Sequence, residues 1–271
     1  MSHTLVKIVT PIYKIDLSAI ELCAFAHNMQ VLSRYPHVLV VPEDLDVADF
    51  LRPYPNVQVV RVSPAWLGRQ NSISGYNAMM TSGAFYDLFV GCEYILICQT
   101  DAWIFRDELA AWCGRGFDYV GAPWLQRDVY SRFPVKQWLW LRRKVHGHDR
   151  LHVLRQQLFD RVGNGGLSLR RVDNFRHACR NYADEIAYFA TQAHQYYNED
   201  VFWSLIPREF CYPSVKEALT FSFDVKPDYC YRLNGEHLPF GCHGLTHPRT
   251  YQFWKEKIPE LNVNKTSCAE E

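Results

Sequence analysis

"YILICQTDAWIF", residues 94–105, begins as an uninterrupted apolar run and then carries Gln99, Thr100 and Asp101 through its middle. A strand exposed on one face alternates polar with apolar residues, so the unbroken apolar start predicts a strand buried on both faces. A carboxylate in such surroundings is costly if dry and unpaired. Position accounts for it: ligands of an open α/β sheet bind beyond the carboxyl ends of the strands, which puts Asp101 at the ligand edge.

The chain upstream supports that sheet. "VKIVTPI" (6–12), a helical pattern from Leu17 to about Ser33, "HVLVVPE" (37–43), "NVQVVRV" (56–62) and a second helical pattern over Tyr76–Phe89 alternate as βαβ units do. The expected fold class is α/β, a mostly parallel central sheet flanked by helices. Downstream, "VGNGGLSLRRV" (162–172) predicts a glycine-rich turn into a short strand, "VDNFRHACRNY" (172–182) a helix capped by Asp173, and "NEDVFWSLI" (198–206) a further helix start.

Residues 127–161 differ in kind: basic and aromatic, with nine Lys or Arg against three Asp. Without repeat or low-complexity linker, the simplest organisation is one domain over 1–271, with 127–161 a basic aromatic insertion and 262–271 a flexible tail. Acidic and basic residues balance at 29 each, so no global field draws the chain to nucleic acid. No charged leader precedes an apolar run, and no segment approaches the roughly 18 apolar residues of a membrane span, which predicts a cytoplasmic protein. Nine cysteines without a C-x-x-C pair indicate reduced core residues rather than disulfides or structural zinc.

On a strand, positions 99 and 101 share a face, so Gln99 and Asp101 are expected to reach one ligand. Asp101 holds a hard divalent cation, or else caps the following turn or pairs with Arg106. Neither a P-loop nor a dinucleotide fingerprint is present. Gly163, Gly165 and Gly166 let the backbone approach a sugar, or only form a tight turn. Asn198 reads as an N-cap with Glu199 and Asp200 in the first helical turn; alternatively Asp200 faces the cleft as a general base. His243, between glycines in "PFGCHGLTHP" (239–248), suits a metal or phosphate ligand. His146, His148 and His152 have a spacing that zinc tolerates, but a solvated basic loop is the better reading.

In order along the chain, "YNAMMTSGAFYDLF" (76–89), "YILICQTDAWIF" (94–105), "DYVGAPW" (118–124), "VGNGGLSLR" (162–170) and "NEDVFW" (198–203) resemble a family of bacterial glycosyltransferase-like proteins long catalogued only as a domain of unknown function. The resemblance runs from about Val6 to Gly244. It implies a GT-A-like, Rossmann-like sheet that binds a nucleotide sugar, with an acceptor half downstream. Gln99-Thr100-Asp101 then stands where such enzymes carry a D-x-D motif. Asp101 and His243 become ligands of Mn²⁺ or Mg²⁺, and Gln99 a hydrogen-bonding partner of ribose or sugar. Asn198-Glu199-Asp200 resembles an x-E-D motif whose aspartate is the base of inverting members. Gly165 and Gly166 would line the donor sugar, while Thr10, Pro11, Tyr13 and Asn77 would cradle the nucleoside.

The resulting expectation is an inverting glycosyltransferase that uses a UDP-sugar in bacterial surface polysaccharide assembly. Its partners would be the nucleotide-sugar donor and a glycan or lipid-linked glycan acceptor. Retaining transfer at the same site, or a non-catalytic carbohydrate- or nucleotide-binding module, are the alternatives. If no metal takes part, Arg69 or Arg170 would carry charge stabilisation. Trp138, Leu139, Trp140 and Leu141, followed by Arg142, Arg143 and Lys144, either dock 136–144 at the inner membrane face, each cation contributing about 1 kcal/mol, or form a helical hairpin with buried tryptophans.

Overall fold

The computed structural model describes residues 4–68, 72–126, 128–146 and 151–262. Arg69, His148 and the tail from 263 onward therefore lie outside the described residues. In chain order the strands are β1 (Thr4–Pro11), β2 (His37–Pro42), β3 (Gln58–Val62), β4 (Cys92–Cys98), β5 (Trp103–Ile104), β6 (Tyr119–Val120), β7 (Pro123–Trp124), β8 (Arg161–Val162), β9 (Leu167–Arg171), β10 (Ser222–Phe223) and β11 (Gly241–Cys242).

Six of them form the main sheet in the order β3-β2-β1-β4-β9-β6. β1 to β4 are parallel, because each returns through a helical crossover. β9 runs antiparallel between β4 and β6. The sheet is thus mostly parallel, with one antiparallel strand, β9, which follows the glycine-rich turn and lies next to the β6 edge.

β4 shows why its sequence lacks alternation. Ile95 and Ile97 face one layer, with Met79, Phe85, Tyr86 and Trp203. Tyr94, Leu96 and Cys98 face the other, with Trp112 and Phe221. Both sets are buried, at about 1.5–3 kcal/mol for a fully buried large apolar side chain. Helix Ala19–Val31 matches the first helical pattern and starts on a capping box between Ser18 and Glu21.

Two local expectations need correction. The pattern over 76–89 is two helices, Ser72–Met80 and Gly83–Asp87. The Met80 carbonyl accepts from the Tyr86 hydroxyl at 2.8 Å and from Trp203 Nε1 at 3.1 Å, so side chains take the place of the next helical N–H. Asp173 lies in the first turn of helix Val172–Asn181, whose N-cap is Arg171. Among the described residues, no helix is long and apolar enough to cross a membrane.

A small sheet, β10-β11-β5, stands beyond the carboxyl end of β4. β11 pairs antiparallel with β5 and parallel with β10. This arrangement sets Asp224, just after β10, beside His243, just after β11, and brings both to the turn that precedes β5.

Candidate active site

The turn between β4 and β5 holds the sequence motif. β4 ends at Cys98, so Gln99 and Asp101 are not alternating strand residues. Ala102 N donates back to the Gln99 carbonyl at 3.0 Å, and that turn brings the two side chains together. Asn28, buried in helix Ala19–Val31, clamps it: Nδ2 donates to the Ala102 carbonyl at 2.7 Å and Oδ1 accepts from Ile104 N at 2.9 Å. The expected convergence occurs, produced by a turn rather than by strand pleating.

Both side chains meet His243. Its Nε2 lies 3.1 Å from Asp101 Oδ1 and 3.1 Å from Gln99 Oε1. Nδ1 lies 3.3 Å from Asp224 Oδ1, which fixes the ring orientation. Burial alone would lower the His243 pKa, but the Asp101 and Asp224 carboxylates outweigh it and push the imidazole up to about 10. Burial would raise the Asp101 carboxyl, and the facing imidazolium reverses this, holding it below its usual range. Asp101 thus pairs with His243 rather than with Arg106. Arg106 binds Glu108 Oε1 at 2.5 Å and the carbonyl of Leu238 at 3.0 Å.

These groups line one side of a cleft of about 580 Å³, with Asp200 also on its wall. Asp200 Oδ1 accepts from Val201 N at 2.9 Å. Burial, then the neighbouring Glu199 carboxylate, raises the Asp200 carboxyl to about 7, the range useful to a general base at neutral pH.

Glu199 has another task. Its Oε1 receives Arg170 Nη2 at 3.0 Å, with both side chains at most 2% exposed. Arg170 also donates to Ser168 Oγ at 3.0 Å and to the Tyr86 hydroxyl at 3.1 Å. Glu199 is held in a buried ion pair, and Arg170 is too deep to meet a diphosphate. The charge-stabilising role expected of Arg170 from sequence is corrected accordingly.

One other expected binding residue, Thr10, is placed away from the cleft, while Asn77 stays on the cleft wall and also serves the protein itself. Asn77 Oδ1 accepts from Glu199 N at 3.2 Å, and Nδ2 donates to Asn198 Oδ1 at 3.1 Å. It caps helix Glu199–Leu205 from outside, at the position where Asn198 makes no side-chain cap bond. Thr10 is buried and faces a small void with Asn28 and His37, away from the cleft. Pro11 and the exposed Tyr13 do reach the cleft.

Gly165 and Gly166 line the cleft, but their missing side chains serve the protein's own groups. A Cβ on Gly165 would fall 2.1 Å from Glu199 Oε1, and one on Gly166 would fall 2.0 Å from His243 Nε2. Gly166→Ala is therefore expected to destabilise the protein by about 1–3 kcal/mol through overpacking. The imidazole, held at both nitrogens, has no free direction in which to retreat. A denaturant titration with an unchanged slope and a lowered midpoint checks this.

A divalent cation has a partial donor set here: His243 Nε2 with one Asp101 carboxylate oxygen and the Gln99 amide oxygen, each 3.1 Å from that nitrogen. Among the described residues no group of three His, Cys, Asp or Glu closes around a metal. The set would suit a hard divalent ion such as Mn²⁺ or Mg²⁺ only with further oxygen ligands from outside the protein. Sequence reasoning missed Asp224, although its signal, a carboxylate immediately after a short apolar strand, is the one that revealed Asp101.

Comparison with known proteins follows from this geometry. Residues 56–243 match the family described as "Protein of unknown function (DUF5672)". The chain belongs to this family. The match spans the 127–161 segment and starts after the first two strands. No curated protein matches the sequence.

Among solved structures, the chain is similar to the galactosyltransferase LgtC in complex with donor and acceptor sugar analogues. Identity is 16%, the TM-score is 0.57, and 96% of this chain and 98% of that chain are covered. An active-site mutant of LgtC matches with 17% identity and a TM-score of 0.53, covering 88% and 86% respectively. The fold is therefore the GT-A type expected from sequence.

Proposed function

We propose that this protein is a glycosyltransferase that moves a sugar from a nucleotide-diphosphate sugar, with UDP the expected nucleotide, to a hydroxyl of a glycan or lipid-linked glycan. The observation that carries this reading is one cleft with two chemistries on its wall. Gln99 and Asp101 converge on His243 Nε2, each at 3.1 Å, and Asp200 has a carboxyl raised to about 7.

Each group has a stated part. Tyr13, exposed at the cleft, offers a ring face to the base. Gln99 hydrogen-bonds ribose or sugar. Asp101 and His243, its Nε2 proton displaced, would hold the cation, and Asp224 would keep the imidazole turned toward it. When bound, the cation offsets the charge that grows on the leaving diphosphate.

Asp200 takes the proton from the acceptor hydroxyl as that oxygen attacks the anomeric carbon from the face opposite the diphosphate. The new glycosidic bond forms as the bond to the diphosphate breaks, and the nucleoside diphosphate leaves. The product anomer is then inverted. Nuclear magnetic resonance of the product checks this directly, and a retained anomer would reduce Asp200 to an orienting group.

Calorimetric titration with UDP, with and without Mn²⁺, tests the donor site. Binding is expected to strengthen with the metal and to lose that gain in His243→Ala. Metal-independent binding would keep the transferase reading and leave charge compensation to the His243 imidazolium. No binding of UDP, GDP, CMP or dTDP, with or without metal, would favour a non-catalytic module.

A further inference from the structure

Among the described residues, the segment between β7 and β8 lines no part of the cleft, yet it carries the three most exposed large apolar side chains, Phe133, Trp140 and Val145. It projects helix Val135–His146. Only Val135 and Leu139 of its described side chains are half-buried, and Gln156 Nε2 donates to the Leu139 carbonyl at 3.3 Å. Trp138, Trp140 and Val145 are 57%, 62% and 61% exposed, and Phe133, just ahead of the helix, is 80% exposed. The buried-tryptophan alternative raised by the sequence is therefore overturned.

The exposed residues are ordered. At the helical repeat, Trp138, Leu141 and Val145 form one stripe, with Arg142 along its border. Lys136 and Lys144 flank Trp140 on the adjoining side. The Arg142 guanidinium stands 5.4 Å from the Trp138 ring centre and the Lys144 ammonium 5.3 Å from that of Trp140. Cation and indole are thus offered together, and the helix contains no Asp or Glu. Large exposed apolar groups mark interaction sites, and tryptophan beside lysine or arginine suits the headgroup layer of a bilayer.

We infer that this helix docks the protein on an anionic lipid surface, with Trp138, Trp140 and Leu141 entering the headgroup boundary and Lys136, Arg142 and Lys144 meeting lipid phosphates. Charge complementarity selects this occupant. A second copy laid on the same face would set cations against cations. The inference deepens the proposed function and rests on it in one respect, that the acceptor is lipid-linked and lies at that surface.

Flotation of the full chain with vesicles tests it. Binding is expected with phosphatidylglycerol-containing vesicles and not with phosphatidylcholine alone. Each near-surface cation is worth about fivefold, so combined Lys136→Gln, Arg142→Gln and Lys144→Gln should lower partitioning roughly a hundredfold. Trp138→Ser with Trp140→Ser should abolish it at physiological salt. UDP titration of the same preparations reports folding and the donor site separately. Wild-type protein that binds UDP but does not float overturns the docking alone, whereas floating protein that binds no nucleotide overturns the transferase reading alone. A dimer lost on Trp138→Ser, without vesicle binding, assigns the face to a second copy and also overturns the proposal.

Discussion

Asp200→Asn is expected to lower transfer by roughly 10²–10⁴-fold while leaving the protein folded, the usual loss when a positioned general base is removed. The pH profile of the wild type should carry the same signature. Burial and the Glu199 carboxylate raise Asp200 to about 7, and only the ionised form accepts a proton. Transfer should therefore rise as pH climbs through about 7 and level off above it.

Stability should move the other way. The unfolded chain ionises an aspartate near pH 3.9, so between about pH 4 and 7 the folded state holds more protons, and stability falls as pH rises across that window. Above it the wild type carries a desolvated charge that the asparagine variant lacks. Asp200→Asn is thus expected to melt higher than wild type at alkaline pH and lower in relative advantage toward pH 4. Full transfer by the folded variant would remove Asp200 from the mechanism.

Arg170→Met should cost about 3–5 kcal/mol, a large share of the ~5–15 kcal/mol typical of a folded domain. The side chain is fully buried, and its removal leaves the Glu199 carboxylate without a cation. Glu199 is also tied through its N–H to Asn77, so losing the pair loosens the start of the helix that carries Asp200. Urea unfolding should show the lowered midpoint. Adding Glu199→Leu should restore most of the stability, because an apolar pair of similar volume avoids the uncompensated charge. If the double variant is no better than Arg170→Met, the loss comes from packing around Tyr86 and Ser168 instead of from the stranded carboxylate.

The sheet was legible because its signal is local. An apolar run such as 94–98 reports that both faces are covered, whichever layers cover them. Asp101, His243 and Asp200 were legible as unusual residues at element ends, but their partners were not. That Asp224 orients His243 depends on β10 lying beside β11, a pairing with no local mark. Asn77 lines the cleft, and its added role in capping a distant helix has no local mark in the sequence. Gly165 and Gly166 signalled close approach correctly and left open what approaches, which proved to be Glu199 and His243. The exposure of Trp138 and Trp140 was equally hidden, since helical periodicity ranks faces without saying which one finds a neighbour.

The segment bearing that helix leaves the body at Trp124 and returns at Arg161, and these two residues are directly paired across β7 and β8. Its ends are therefore already joined, and neither the main sheet nor the cleft has to bridge a gap if the intervening chain changes length. Each doubling of a flexible loop costs only about 0.6 kcal/mol in closure entropy. The part of the stretch around helix Val135–His146 is therefore anchored at both sides, by the β7–β8 clasp and by Val153 in the core, and a change of length there is expected to leave the main sheet folded.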